Sequence, residues 1–145
     1  MSSFFDTNIL IYAVDGRFPE KQKIALSLFS DAVRSGSFVI STQVLIEFFN
    51  AATKGGKTGN GKTSPLLSQQ EAKIQLESLA RHRVVTTTPA IVLGAVDLAL
   101  QHQMHWFDAL MVETALSFGA SILYSEDMQH GQRFGSLTVI NPFLE

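Results

Sequence analysis

The sequence predicts an α/β fold, a mostly parallel sheet of four to five strands with helices on both faces, three layers in all. Short apolar runs alternate with longer segments of helical periodicity along the chain. Strands separated by helices pair in parallel and are covered on both faces. The chain has 145 residues, against about 150 per domain, and no internal repeat or linker-like stretch divides it. We therefore expect one domain, 1–145.

The elements follow in order. Ser3-Phe4-Phe5 reads as a short strand, with Asp6-Thr7-Asn8 as turn or cap chemistry ahead of Ile9-Leu10-Ile11. From Pro19 to Arg34, Ile24, Ala25, Leu28, Phe29 and Ala32 recur at helical spacing, and Ser35-Gly36 stops the pattern. Phe38-Val39-Ile40 is a second strand, and Ser41 or Thr42 caps a helix to about Thr53. Gly55 to Pro65 reads as a Gly/Lys/Thr loop. Gln69 to Arg81 is helical, Arg83 to Thr87 a strand, and Pro89 to Gln101 a helix with proline in its first turn. Trp106 to Phe118 is another helix, closed by Gly119. Ser121 to Tyr124 and Leu137 to Ile140 are the last strands.

Composition narrows the chemistry. With 46% hydrophobic and 17% charged residues the chain is no disordered tail. It holds no cysteine, which removes disulfides, zinc–thiolate sites and thiol nucleophiles together and suits a reducing compartment. No signal-like segment opens it and no apolar run approaches the ~20 residues of a membrane span, so a cytoplasmic protein with no membrane partner is expected. The formal net charge is −2, so a polyanion would have to be met locally or through bound cations.

In parallel sheets ligands sit at the carboxyl ends of the strands. Asp6 follows the first strand, Glu47 lies early in the helix after the second, Asp108 is in the first turn of its helix, and Ser125, Glu126 and Asp127 follow the fourth strand. Each has a plain alternative. Asp6 could be only a cap. Glu47 shares a polar helix stripe with Gln43, Asn50 and Lys54, which a solvated face explains equally. Asp108 stands opposite Glu113, Thr114 and Ser117, on the apolar side, and a helix-dipole role accounts for its first-turn position but not for that side. Glu126 and Asp127 could be turn residues, and Ser125 could cap a turn or meet a phosphate. Convergence is the stronger argument. Carboxylates crowded on one rim raise each other's pKa unless cations neutralise them. Oxygen ligands alone match hard cations, Mg²⁺ or Mn²⁺. Such a site suits metal-assisted hydrolysis of phosphodiesters, and two such ions would carry the formal charge from about −2 to about +2.

Gly56-Lys-Thr-Gly-Asn-Gly-Lys-Thr63 matches the phosphate-loop pattern, but a helical segment precedes it and Pro65 follows where a helix should continue. It is read instead as a loop whose Lys54, Lys57 and Lys62 could touch a phosphate backbone. His102, His105 and Asp108 are three apart, yet the helix should end near Gln103 and restart at Trp106, which takes them off a common face. His130 lies near the rim acids and could contact substrate.

Taken together, Phe5-Asp6-Thr7-Asn8-Ile9-Leu10, Leu45-Ile46-Glu47-Phe48, Trp106-Phe107-Asp108-Ala109-Leu110 and Leu123-Tyr-Ser125-Glu126-Asp127-Met128-Gln-His-Gly131 resemble the PIN-domain ribonucleases, in particular VapC-like toxins of toxin–antitoxin pairs. The resemblance implies a PIN-like fold and an acidic quartet, Asp6, Glu47, Asp108 and Asp127, holding Mg²⁺ or Mn²⁺. Thr7, Asn8, Ser125 and Glu126 would support it. It implies an endoribonuclease leaving 5′-phosphate and 3′-hydroxyl ends, a homodimer, and inhibition by a VapB-type antitoxin. Two alternatives stand beside it: a PIN-like interaction module without catalysis, and nucleotide binding through 56–63. The adjacent Glu126 and Asp127 leave the fourth ligand open between them, with Asp127 preferred.

Overall fold

In the computed structural model, residues 1–55, 57–58, 61–62 and 64–144 are described, with 57–58 and 61–62 as backbone alone. The chain runs β1 (Ser3–Phe5), α1 (Thr7–Ala13), α2 (Pro19–Ser35), β2 (Phe38–Ser41), α3 (Thr42–Thr53), β3 (Lys57–Thr58) and β4 (Gly61–Lys62). It continues through α4 (Gln69–Leu79), β5 (Arg83–Val85), α5 (Pro89–His102), α6 (Trp106–Phe118), β6 (Ile122–Tyr124), β7 (Arg133–Phe134) and β8 (Leu137–Ile140).

The main sheet has the order β5-β2-β1-β6-β8-β7. Every neighbouring pair is parallel except β7 with β8. It therefore has one strand more than the four to five expected. The addition, Arg133–Phe134, is an antiparallel edge segment joined to β8 through Gly135 at φ 57°. Two residues are too few to show alternation, which is why the sequence hides it. Gly55 to Pro65 is likewise not all loop, since β3 and β4 pair antiparallel within it. β5 stops at Val85 rather than Thr87, because Thr87 turns to α3, where its N–H donates to Thr42 Oγ1 at 3.0 Å, and Thr88 caps α5.

Successive residues of a strand point to opposite faces. Phe4 and Phe5 are both fully buried, as are Val39 and Ile40, so helices cover the sheet on both sides. Phe38 sits at the centre of an aromatic cluster, edge-on to Phe5 at 4.9 Å and to Phe29 at 5.0 Å between ring centroids. A smaller cluster, Ile91, Ala95 and Leu110 with Trp106, seals α5 against α6.

α5 and α6 are separate helices, as the sequence implies. Gln103 takes a left-handed conformation at φ 55° and ends α5. One expectation about α6 fails: Thr114 does not share a solvent face with Glu113. It is fully buried and returns its hydroxyl to the Leu110 carbonyl at 2.7 Å, so its polarity is satisfied inside the helix. No described helix is long and apolar enough to cross a membrane.

The sheet order places chemistry. From β1 the chain moves to β2 and β5 on one side, then crosses back through α5 and α6 to β6 on the other side of β1. The strand order thus reverses at β1, and a crevice opens beyond the carboxyl ends of β2, β1 and β6.

Candidate active site

A cleft of about 750 Å³ lies at that switch point, lined by residues that include Asp6, Glu47, Asp108 and Asp127. Four segments distant in sequence meet there. Each carboxylate is held differently.

Asp6 leaves β1 in extended conformation and caps α1. Its Oδ1 accepts from the Thr7 N–H and its Oδ2 from the Ser125 hydroxyl, both at 2.6 Å. The cap and the site are one residue. Only 6% of Asp6 is exposed. Burial pushes its pKa up to about 7; the bonds from Ser125 and Thr7 oppose the rise, and the charges of Asp127 and Glu47 add to it.

Glu47 projects from α3, which Ser41 caps by accepting the Val44 N–H. Its Oε1 accepts from the Thr7 hydroxyl at 2.8 Å, and its Oε2 from Gln43 Nε2 at 3.2 Å. Gln43 is 7% exposed and also donates to the Phe107 carbonyl at 3.2 Å. The stripe read as a solvated face is therefore buried at Gln43, where it bridges α3 to the first turn of α6. Sequence reasoning missed that role because polar residues at i and i+4 look alike whether water or another helix faces them.

Asp108 is half-buried in the first turn of α6, with no side-chain hydrogen bond among the described residues. Burial raises its pKa; the nearby His105 opposes this, and Asp127 and Glu47 add to it. Asp127 is exposed. Its Oδ2 accepts from Asn8 Nδ2 at 3.0 Å, and its N–H donates to Ser125 Oγ at 3.2 Å. The fully buried Ser125 hydroxyl thus links Asp6 to Asp127 rather than facing a phosphate.

Glu126 and Asp127 separate cleanly. Glu126 accepts from the Tyr12 hydroxyl at 2.7 Å and pairs with Lys21 of α2, so its charge is already met. The same contacts tie the loop after β6 to α1 and α2. Asp15 also lines the cleft, but it is held by Arg17 through two bonds of 2.9 Å. Asp6, Glu47, Asp108 and Asp127 have no ion-pair partner among the described residues.

The remaining candidates scatter. Lys54 is exposed just beyond the end of α3. The side chains of Lys57 and Lys62 lie outside the described residues. His130 accepts the Asn141 N–H on its Nδ1 at 3.0 Å and does not line the cleft. His105, set aside on sequence, does line it, at the start of α6. The phosphate-loop reading of 56–63 lacks its setting: α3 stands where a strand should precede it, and β4 occupies Gly61–Lys62 where a helix should open.

The donor set fits a hard divalent cation. Four carboxylates share a rim, the most buried of them has no cationic partner among the described residues, and burial, with their mutual repulsion added, raises Asp6 and Asp108. Among the described residues no group of three or more His, Asp or Glu side chains stands close enough to hold an ion by itself. Mg²⁺ needs only one or two protein carboxylates, because it keeps several of its waters.

Residues 3–132 match the PIN domain family, and the chain belongs to it. Members of this family are in general nucleases that use divalent metals. No curated protein matches the sequence. Among solved structures, the chain is similar to a chain of a toxin–antitoxin complex from Klebsiella pneumoniae, with 18% identity, TM-score 0.66 and 98% of each chain covered. It is also similar to a chain of VapBC2 from Rickettsia felis bound to a DNA fragment from its promoter, with 16% identity, TM-score 0.67, and 96% and 97% of the two chains covered. These likenesses concern the fold.

Proposed function

We propose that this chain, taken as one PIN domain over 1–145, is a metal-dependent endoribonuclease and the toxin of a VapBC-type pair. The observation that carries the reading is Asp6. It is a buried carboxylate without a cationic partner among the described residues, at the switch point of the sheet, with Glu47, Asp108 and Asp127 around the same cleft. These four would hold Mg²⁺ or Mn²⁺, which when bound makes water more acidic and offsets charge on a phosphodiester.

The chain's own residues supply order. Ser125 and Thr7 fix both oxygens of Asp6, Thr7 and Gln43 fix both oxygens of Glu47, and Asn8 fixes one oxygen of Asp127. Asp108 has no side-chain hydrogen bond among the described residues. Thr7 has a double part, since its backbone holds one acid and its hydroxyl another. Pre-positioned groups of this kind lower the barrier by removing reorganisation from the reaction.

An antitoxin partner is supported by the complexes in which the similar folds occur. A second copy of the chain is the expected further partner. A cytoplasmic setting is the one in which the proposed nuclease would meet cellular RNA.

Induced expression in a bacterial host tests the reading. It predicts growth arrest with RNA fragments bearing 5′-phosphate and 3′-hydroxyl ends, both abolished by Glu47→Gln. Arrest that persists in Glu47→Gln, or fragments ending in cyclic phosphate, would contradict it.

A further inference from the structure

Two aromatic side chains stand half-exposed at helix starts, where packing covers only part of each ring. Phe18 occupies the N-cap of α2, a position that favours Ser, Thr, Asp or Asn, and makes no side-chain cap bond. Phe107 is the second residue of α6, next to Asp108. Phe18 is 47% exposed and Phe107 is 51% exposed, and both line the cleft that holds the four acids. Each sits at the start of a helix, so its backbone is fixed. Pro19 follows Phe18 and restricts it further. A local rule broken at a cleft rim points to function there.

Their surroundings leave ring surface open. Phe18 meets Tyr12 edge to face, with centroids 5.6 Å apart and planes at 89°. Tyr12 is itself braced by Phe143 at 5.0 Å. Phe107 is tilted against His105 at 5.9 Å. The Arg17 guanidinium, paired with Asp15, also stands over the Phe18 ring, 5.9 Å from its centroid. The cleft thus has a carboxylate floor and an aromatic station on α2 and another on α6. That pattern matches a strand whose charged linkage lies on the floor while its flanking rings turn outward.

Resting on the nuclease reading above, we propose that Phe18 and Phe107 are stacking stations for the unpaired nucleobases on either side of the scissile phosphate. Aromatic side chains hold splayed bases without reading sequence. The site then selects single-stranded segments by requiring two bases to leave their neighbours, and a duplex fails because its bases are stacked on each other. Neither ring touches the reacting phosphate; both determine which RNA can present it.

The test compares wild type with Phe18→Ala, Phe107→Ala and the corresponding Phe→Trp variants. The substrates are one single-stranded RNA, the same RNA abasic at the nucleotides flanking the cut, and its duplex. The expected result is a rise in KM of about 5- to 100-fold for each alanine variant, with kcat little changed, and recovery with tryptophan. Abasic RNA loses a similar factor with wild type and no further factor with the alanine variants. Fluorescence of the Trp introduced by F18W is quenched by the single strand and not by the duplex, a readout independent of turnover. Cleavage by wild type with unchanged KM in both alanine variants overturns the stacking proposal, leaves the nuclease standing and assigns the rings to a protein partner. No cleavage of any RNA by wild type in Mg²⁺ or Mn²⁺ overturns the nuclease reading, and this proposal with it.

Discussion

Asp6 carries two duties that pull against each other. Its carboxylate must be buried to cap α1 and to take the Ser125 hydroxyl, yet burial without a cation favours the protonated acid, and its pKa rises from the ordinary 3.8 to about 7. Between those values the folded chain holds a proton that the unfolded chain has lost. The Asp6 contribution to the stability of the metal-free protein is therefore fully present below about pH 4 and drains away as pH rises through about 7, in all on the order of 4 kcal/mol. Asp6→Asn should flatten that dependence and leave the metal-free protein more stable than wild type at pH 8, read by urea unfolding at pH 5 and pH 8. A wild type whose stability rises over that interval would show that Asp6 is not strained. Gln43 makes the complementary case. Gln43→Leu keeps the volume but strands Glu47 Oε2 and the Phe107 carbonyl, so activity should fall by about 10- to 100-fold, while Thr7→Val frees the other Glu47 oxygen. Circular dichroism and the activity of purified variants check both.

Among the elements, α6 comes close to α5 at Gly94. A Cβ there would meet the carboxyl end of the Glu113 side chain, 2.5 Å from its Oε1 and 2.9 Å from its Cδ, so the contact is with a flexible side chain and not with backbone. Gly94→Ala makes that chain swing aside, so its gain of about 1 kcal/mol in helix propensity should show only in part. Adding Glu113→Ala should remove the contact and let the gain show in full. Thermal melts of the single and double variants decide it, and a gain from Gly94→Ala that Glu113→Ala does not enlarge would contradict the packing account. This contact also shows what could be read from sequence. The break at Gln103, the starts at Pro19 and Pro89, and the stops at Gly36 and Gly119 are local chemistry and are visible in the residues themselves. Glu113 and Thr114 as parts of a packed surface are not, because a wheel separates apolar from polar and cannot show which helix arrives from elsewhere. Asp6 and Asp127 were legible for a topological reason, since parallel strands end on one rim, whereas Asp108 stood out by its apolar helix side and Glu47, weak by itself, was raised by the resemblance to the PIN family. The partners that tell Glu126 from Asp127, Lys21 and Tyr12, lie more than 100 residues away in sequence, and only the folded chain brings them together.

For the whole molecule, the order β5-β2-β1-β6-β8-β7 concentrates negative charge at one crevice of a chain with formal net charge −2. A cation bound there, as proposed, would relieve repulsion and release the proton held on Asp6, which would link binding to folding. Saturating Mg²⁺ or Mn²⁺ at 100 times its Kd should stabilise the protein by about 2.7 kcal/mol. The rise in Tm should be larger at pH 8 than at pH 6, since at pH 6 the ion must first displace a proton. Asp108→Asn should reduce the shift at both. The central claim, that four carboxylates from four segments form one cation-dependent hydrolytic site, is tested most directly by cleavage of mixed cellular RNA. Purified wild type and Asp108→Asn are compared in Mg²⁺, in Mn²⁺ and in EDTA. The account predicts discrete fragments from wild type in either metal, none in EDTA, and at least a hundredfold slower cleavage by Asp108→Asn. Equal cleavage by wild type and variant, or cleavage that survives EDTA, would contradict it.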